Sequence, residues 1–269
     1  MNGGTFTVDS SVESLEALKC DAFTMTDGKI DIKNTARADG IEVMTGHGDT
    51  GDFVLKGGSI NINLPDTYSS ALIKEGNSYI SGGTITALSG QGLDFGYLEM
   101  TGGSIESKVI YEDSAAMTVD GADISNCKLD LMADCVKGIA LQNLQFVKVG
   151  EEALPFKIHD CEVTAIATGE NAVGIASYTG MDFSNVDLYA SGSQAAIETG
   201  NDPEYYPNFD PEHAHNFSGP LVFSDNMMVL ASDTFKDNAE NVNILAVTCE
   251  SVSRHGTQVV DSIALSTDG

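Results

Sequence analysis

Residues 53–62 read FVLKGGSINI, a phrase that returns along much of the chain. It consists of an apolar residue, about four residues of turn character that often include glycine, and a second apolar residue, here Ile60. Clear copies occupy 23–32, 79–87 and 98–107. Apolar and polar residues alternate around the second apolar position, which is the period-2 pattern of β-strands. The phrase therefore indicates a repeat protein built from short strands.

The spacing of the copies points to one architecture. The second apolar residue of each copy, called the anchor below, is found at Phe6, Ile30, Ile60, Ile85, Ile105, Ile124, Phe146, Val163, Leu188 and Met228. Successive anchors are 24, 30, 25, 20, 19, 22, 17, 25 and 40 residues apart. Loops between the strands of a solenoid can lengthen without disturbing the stack, whereas an antiparallel sandwich would not repeat one phrase in one register. The sequence predicts a single all-β domain over 1–269, a single-stranded parallel β-helix of about ten coils.

A second motif recurs between the anchors and consists of an acidic or amide residue, a small residue and an apolar residue. Asp134, Glu152 and Asn171 open this motif in three consecutive repeats. We expect them to stack at the interstrand distance of about 4.8 Å. Two carboxylates at that distance repel each other, and a calcium ion with oxygen ligands at about 2.3–2.6 Å can bridge them. Calcium is therefore the predicted cofactor at these corners.

Further acidic residues extend this prediction. Glu151 and Glu170 each precede a corner and can add ligands, while Glu16 and Asp39 form a second pair near the N-terminus. The alternative is a solvated acidic stripe without metal, in which repulsion raises the carboxylate pKa values.

The longest departure from the repeat is an insertion at 192–220. Its segment 201–217, NDPEYYPNFDPEHAHNF, contains three of the six prolines and the aromatic residues Tyr205, Tyr206 and Phe209. Long loops with their own aromatics often bind ligands. Because the chain has no tryptophan, its tyrosines are the available platforms for stacking on sugar rings. The alternative is that these aromatics pack back into the side of the β-helix.

The charge of the chain excludes several partners. The 13 basic residues are set against 40 acidic ones, which gives a formal net charge of −27. Nucleic acids and anionic membranes would be repelled. The chain has no run of 18 apolar residues, so no membrane-spanning segment is predicted. The first residues lack the pattern of a signal peptide. The five cysteines lack metal-ligand spacing and are expected to be buried free thiols.

The corner and strand motifs together resemble a known family. EALKCDAFTMTDGKIDI (16–32) and DGIEV (39–43) are similar to the repeats of bacterial β-helical carbohydrate-binding domains, which share their fold with polysaccharide lyases. The resemblance covers about residues 1–190. It implies right-handed coils, a secreted or cell-surface location, polysaccharide binding without cleavage, and calcium held at the acidic corners. The chain departs from the family where Ser70, Gln91 and Asn171 replace the acid.

One stretch also resembles a catalytic signature. NTARADGIEVMTGHGD (34–49) contains short motifs that resemble those of the pectin-degrading polygalacturonases. In that family the motifs lie on successive coils. Thr35 and His47 are only 12 residues apart, less than one turn, so their side chains cannot stack into one cleft. A lyase needs a basic residue to abstract a proton, and the two arginines, Arg37 and Arg254, are far apart. The chain is therefore predicted not to be an enzyme.

These observations predict an extracellular or bacterial cell-surface module that binds polysaccharide of the plant cell-wall type, such as cellulose or pectin, with the help of calcium. Two alternatives remain open. The first is a structural or adhesive β-helix that acts as a rigid spacer. The second is a polysaccharide lyase or glycoside hydrolase of the pectin-degrading type.

Overall fold

The structure, a computed structural model, describes residues 1–44, 51–66, 68–144, 154–177 and 180–199, and beyond residue 220 the backbone of six short strands. The described residues form strands and turns. None of them belongs to a helix, so no helix in this part of the chain is long and apolar enough to cross a membrane. The architecture is a parallel β-solenoid of about seven turns, which confirms the predicted fold class.

Each coil contributes strand segments to three faces, and neighbouring strands on a face pair in parallel. Face 1 consists of β1 (Asn2–Ser10), β4 (Asp27–Asn34), β7 (Ser59–Asn63), β9 (Thr84–Ser89), β11 (Ser104–Val109), β14 (Lys128–Ala133), β17 (Glu162–Ala167), β20 (Asp187–Ser191) and β23 (Met228–Ala231). Face 2 consists of β2 (Leu15–Cys20), β5 (Ala38–Val43), the first halves of β8 (Ser70–Ile80) and β10 (Gln91–Met100), β12 (Ala115–Val119), β15 (Ile139–Asn143), β18 (Val173–Ser177), β21 (Ala195–Thr199) and β24 (Phe235–Asp237).

Face 3 contains the second halves of β8 and β10 and a set of shorter strands. These are β3 (Phe23–Met25), β6 (Phe53–Leu55), β13 (Gly121–Ser125), β16 (Phe156–His159), β19 (Met181–Ser184), β22 (Leu221–Ser224) and β25 (Asn243–Ile244). Outside the three faces, β26 (Val252–Arg254) and β27 (Thr257–Val259) pair antiparallel.

The strands β8 and β10 differ from the others because each continues from face 2 onto face 3. Each strand turns the corner at a glycine with positive φ, Gly76 at 92° and Gly96 at 31°. The register between the two strands shifts beside Gly96. A Cβ on Gly96 would lie 2.3 Å from the carbonyl oxygen of Gly76, so the two backbones pass too closely for a side chain.

The core is a set of apolar ladders that run along the solenoid axis. On face 1, equivalent positions of successive strands are held by Phe6, Ile30, Ile60, Ile85, Ile105, Leu129, Val163, Leu188 and Val229. The residues of this ladder from Ile30 to Leu188 are at most 3% exposed. Seven of the predicted anchors lie on this ladder. Burial of each such side chain contributes about 1.5–3 kcal/mol, which is the main force that holds the coils together.

Two predicted anchors differ from the structure, and a third is not tested by it. Ile124 lies on β13 of face 3, and Leu129 takes its place on face 1. Ile124 belongs to the same coil as Ile105, so counting it as a separate coil added one coil to the predicted number of about ten, where the structure has about seven. Val229, not Met228, is in register with Leu188. Phe146 lies outside the described residues.

The corner that precedes face 1 changes its chemistry along the stack. In the early coils the residue just before the paired strand segment is a glycine with positive φ, and these are Gly28, Gly58, Gly83 and Gly103. In the later coils the left-handed residue lies one position earlier and is Asn126, Asp160 or Asn185, with φ of 52–56°. Asparagine and aspartate tolerate this conformation better than other residues with side chains. The position after them then carries an inward side chain, Cys127, Cys161 or Val186, each at most 9% exposed.

Candidate functional site

The outward side of face 1 carries a polar row with one residue from each of eight strands. The row consists of Thr7, Asp31, Asn61, Thr86, Glu106, Asp130, Thr164 and Tyr189. In-register parallel pairing spaces its members by about 4.8 Å. The row therefore presents carboxylates, hydroxyls and an amide at regular intervals, although Thr164 is only 4% exposed.

A groove of 560 Å³ lies along this face over the first five coils. Near its centre, the amide of Asn61 donates a hydrogen bond of 2.8 Å to Asp31, whose other oxygen lies 2.6 Å from Lys29 Nζ. The hydrogen bond from Lys29, and then the one from Asn61, lowers the pKa of Asp31. Lys33 and Lys108 also line the groove. The groove surface is mainly apolar, and these charged and amide groups are the polar positions on it.

Two tyrosines and an arginine meet at the corner that follows face 1, and we call this group the aromatic corner. The ring centroids of Tyr68 and Tyr111 are 5.0 Å apart, with an angle of 51° between the rings. Arg37 Cζ lies 5.9 Å from the Tyr68 ring centroid. Tyr68 is 54% exposed, the second most exposed of the large apolar side chains in the described part of the chain. Hydrogen bonding to Tyr68 raises the pKa of Tyr111.

The contact between the tyrosines depends on the coil that separates them. Tyr68 follows β7 and Tyr111 follows β11, so the corner after β9 lies between. That corner is the single residue Gly90, whose carbonyl accepts a hydrogen bond from the Tyr111 backbone N–H. Because Gly90 has no side chain, nothing projects between the two rings. The aromatic corner was not predicted from the sequence, although each tyrosine follows the end of a predicted strand.

A second polar cluster lies where face 3 ends. His159 Nδ1 is 3.0 Å from Asp160, and its Nε2 is 3.2 Å from Asp123 on the preceding coil. The amide of Asn185, on the following coil, donates a 2.5 Å hydrogen bond to Asp160. Hydrogen bonding to Asp160 is the main cause that raises the pKa of His159, and Asp123 adds to it. The protonated imidazole therefore bridges two coils through carboxylates.

This cluster predicts a pH dependence of stability. The pKa of His159 is raised in the folded protein above its ordinary value of 6.5, so its contribution is complete below pH 6.5 and is lost as the pH rises through the folded-state pKa. The side chain is 39% exposed, so we expect the charged bridge to contribute only about a few tenths of a kcal/mol to the free energy of unfolding. Urea unfolding of wild type and His159→Gln at about pH 5.5 and pH 8.5 should show a difference at the lower pH alone.

The matched variant for this test is Asp123→Asn, which keeps the shape of the side chain and removes one carboxylate. It should lower the pKa of His159, as followed by NMR titration of the imidazole. A histidine variant that loses equal stability at both pH values would contradict a role for the charged bridge.

The predicted metal residue Asp134 has other partners. Lys108 Nζ lies 2.9 Å from one of its oxygens, and the Thr168 hydroxyl donates a 2.8 Å hydrogen bond to the other. The hydrogen bond from Lys108, followed by that from Thr168, lowers the pKa of Asp134. Since Ala133 pairs with Ala167, the residue that stacks on Asp134 is Thr168.

The prediction that Asp134 and Asn171 stack is therefore wrong. Ile139 pairs with Val173, which sets Asn171 above Lys137. Lys137 and Asn171 share the left-handed conformation, with φ of 52° and 56°. The corners before β15 and β18 are both five residues long, 134–138 and 168–172, but Asp134 is the first residue of its corner and Asn171 is the fourth of its own, so the motif placed Asp134 three residues too early. Glu170 is exposed, and its carbonyl oxygen accepts a hydrogen bond from the Lys137 N–H.

The predicted pairing of Glu16 with Asp39 is confirmed, since the two residues are in register on β2 and β5. Lys19 Nζ lies 3.3 Å from Glu16 and 2.9 Å from Glu42, so a lysine already neutralises part of this acidic corner. Asp39 accepts a 3.3 Å hydrogen bond from the N–H of Ser70, the residue that replaces the acid on the next coil.

The remaining predicted site residues lie outside the part of the chain that the structure describes. They are Glu151 and Glu152 at the corner before β16, and Tyr205, Tyr206 and Phe209 in the insertion. His47 of the glycine-rich stretch lies there too. Among the described residues, no group of three or more histidine, cysteine, aspartate or glutamate side chains is arranged to hold a metal ion. Calcium stays a prediction.

Comparison with known proteins gives no match to a protein-family model, a curated protein or a solved structure.

Proposed function

We propose that this chain is a polysaccharide-binding module of the extracellular space or of a bacterial cell surface, which holds plant cell-wall glycans such as cellulose or pectin without cleaving them. The observation that carries the proposal is the aromatic corner, which lies at the ends of the strands that form the polar row. Exposed aromatic side chains beside a mainly apolar groove with a few polar groups are the usual composition of a ligand site.

The aromatic corner suits a sugar ring for a physical reason. A pyranose has an apolar C–H face and a rim of hydroxyls, and a tyrosine offers an apolar ring with a polar tip. Tyr68 is exposed, and its contacts with Tyr111 and Arg37 hold its ring in one orientation. A ring that is already oriented loses little conformational entropy when it binds a ligand.

The groove suits a chain of sugars because of its length and its chemistry. Five successive strands at about 4.8 Å each give about 19 Å of regular surface. Asp31, Asn61 and Glu106 offer acceptors and an amide donor to hydroxyls, while Lys33 offers a cation to uronate carboxylates. The formal charge of −27 disfavours acidic glycans at long range, so calcium would assist by screening or bridging carboxylates.

The proposal is tested by binding of defined oligosaccharides, such as cellohexaose and oligogalacturonate, measured by calorimetry with calcium or chelator. We expect Tyr68→Ala to weaken binding about tenfold, since an aromatic contact of this kind is worth about 1 kcal/mol or more. Tyr68→Phe should bind as wild type does if the ring face makes the contact. Tyr79→Ala removes a tyrosine from face 3 and is the matched control.

The other outcomes separate the alternatives. Absence of binding across a broad glycan panel would contradict the proposal and favour a structural spacer. New reducing ends or unsaturated uronate products would favour a glycoside hydrolase or a lyase. Equal loss of affinity in the Tyr68 and Tyr79 variants would contradict the assignment of the aromatic corner.

A further inference from the structure

Two cysteines on successive coils contact each other inside the solenoid. Cys127 and Cys161 immediately precede β14 and β17, and they are 9% and 7% exposed. Their Sγ atoms are 3.2 Å apart. They and Cys135 are buried free thiols, as expected, whereas Cys20 is only partly buried and Cys249 lies outside the described residues. The expectation did not include the contact, because 34 residues separate the two cysteines.

The corner geometry holds the two thiols together. Asn126 and Asp160 adopt the left-handed conformation at the same point of their coils, so the residue after each one points into the core. The backbone carbonyl of Cys127 accepts a hydrogen bond of 3.1 Å from the Glu162 N–H, and the next residues, Lys128 and Glu162, pair in register and form a 2.6 Å ion pair. The cysteines therefore lie one rung apart.

That separation fits a disulfide bond. Interstrand spacing of about 4.8 Å falls within the Cα–Cα range of about 4.4–6.8 Å that disulfides adopt. At the position just before the face 1 strand, only these two of the described coils carry cysteine. The coil before them has Gly103 there, and the coil after them has Val186. The pairing is thus unambiguous along this ladder.

We infer that Cys127 and Cys161 are a thiol pair that low-molecular-weight disulfides, such as glutathione disulfide, oxidise to an intramolecular disulfide between two successive coils. The Cys161 thiolate attacks one sulfur of the oxidant and releases one glutathione thiolate. Cys127 then loses its proton and displaces the second glutathione from Cys161. Two protein thiols become one disulfide, while one glutathione disulfide becomes two glutathione thiols.

The order of these steps follows from the hydrogen bond between the thiols. That hydrogen bond is the main cause that lowers the pKa of Cys161, and it also raises the pKa of Cys127, where burial adds to the effect. Cys161 is therefore the first thiol to ionise and the attacking nucleophile. The inference is independent of the proposed glycan binding, since neither cysteine belongs to the groove or to the aromatic corner.

Peptide mapping of the folded wild-type chain tests the inference directly. The protein is treated with glutathione disulfide, free thiols are alkylated, and trypsin then places Cys127 in 109–128, Cys135 in 129–137 and Cys161 in 158–236. We expect 109–128 and 158–236 to be recovered as one cross-linked peptide that reductant separates. The Cys135 peptide should be alkylated and unlinked, and it serves as the internal control.

Variants and thermal melts extend the test. Oxidised wild type should melt about 5 °C or more above its reduced form, because the bond closes a loop of 34 residues. Cys127→Ser and Cys161→Ser should show no dependence on reductant, and Cys135→Ser should behave as wild type. Recovery of both alkylated peptides from the treated protein, or a cross-link to Cys20, Cys135 or Cys249 instead, would overturn the inference. The wild-type map decides the question even if a serine variant fails to fold.

Discussion

Gly58→Ala is expected to lower the free energy of unfolding by about 3–5 kcal/mol, as measured by urea unfolding. Gly58 has φ of 83°, a conformation that costs a residue with a side chain about 1–2 kcal/mol. A Cβ at this position would also lie 2.5 Å from the carbonyl oxygen and 3.0 Å from the backbone nitrogen of Gly28. The backbone of the preceding coil cannot give way without disturbing its own pairing, and this clash adds a few kcal/mol.

Gly4 provides a control that separates the backbone strain of positive φ from the clash with the neighbouring coil. Its φ is 84°, almost the same as that of Gly58, but a Cβ there would meet no atom within 4 Å. Gly4→Ala should therefore show the backbone strain alone, about 1–2 kcal/mol. If the two alanine variants lost equal stability, close stacking of the glycine corners would not be what requires Gly58.

The second large effect is expected from Phe53→Ala, which should lower the free energy of unfolding by about 3–5 kcal/mol. Phe53 is fully buried on face 3. Its ring stacks on Phe23 of the preceding coil with a centroid distance of 4.8 Å and an angle of 8°, and it meets Phe95 edge-on at 6.0 Å. Removing the ring leaves a cavity that touches three coils, and their paired backbones allow little collapse. Thermal and urea unfolding should both show the loss.

Two further variants show whether the stack explains the loss. Phe53→Leu keeps most of the volume, so it should cost less than half as much as the alanine variant. Phe23→Ala should also cost less, because Phe23 lies near the N-terminal end of the stack and is 6% exposed. A loss under about 1 kcal/mol in Phe53→Ala would contradict a rigid aromatic core at this position.

The fold could be predicted from the sequence because the glycine-rich phrase and its alternating flanks report local structure. From Phe6 to Ile105 every anchor was placed correctly, since each corner before the strand carries glycine. The prediction failed at Leu129 because Asn126 adopts the left-handed conformation without glycine. Side-chain identity alone does not show which asparagine takes that conformation. The anchor was therefore assigned to Ile124, in a phrase that still contained glycine.

The candidate site was harder to predict because it depends on contacts between coils. Tyr68 and Tyr111 are 43 residues apart, and they meet because the coil between them turns at Gly90 alone. Asp134 was misaligned because the corner motif starts at the first residue of its corner, whereas at Asn171 it starts at the fourth residue of a corner of the same length. A short motif of degenerate composition does not fix its own position within a corner.

The two long strands, β8 and β10, also affect how this chain responds to mechanical load. A solenoid pulled by its ends peels one coil at a time, because each coil holds only its neighbours. Where a strand continues across two faces, the hydrogen bonds of both faces must be loaded together before the coil detaches. The coils of β8 and β10 therefore form a clamp in the N-terminal half, and tension applied along the axis is resisted there after the simpler coils have been drawn out.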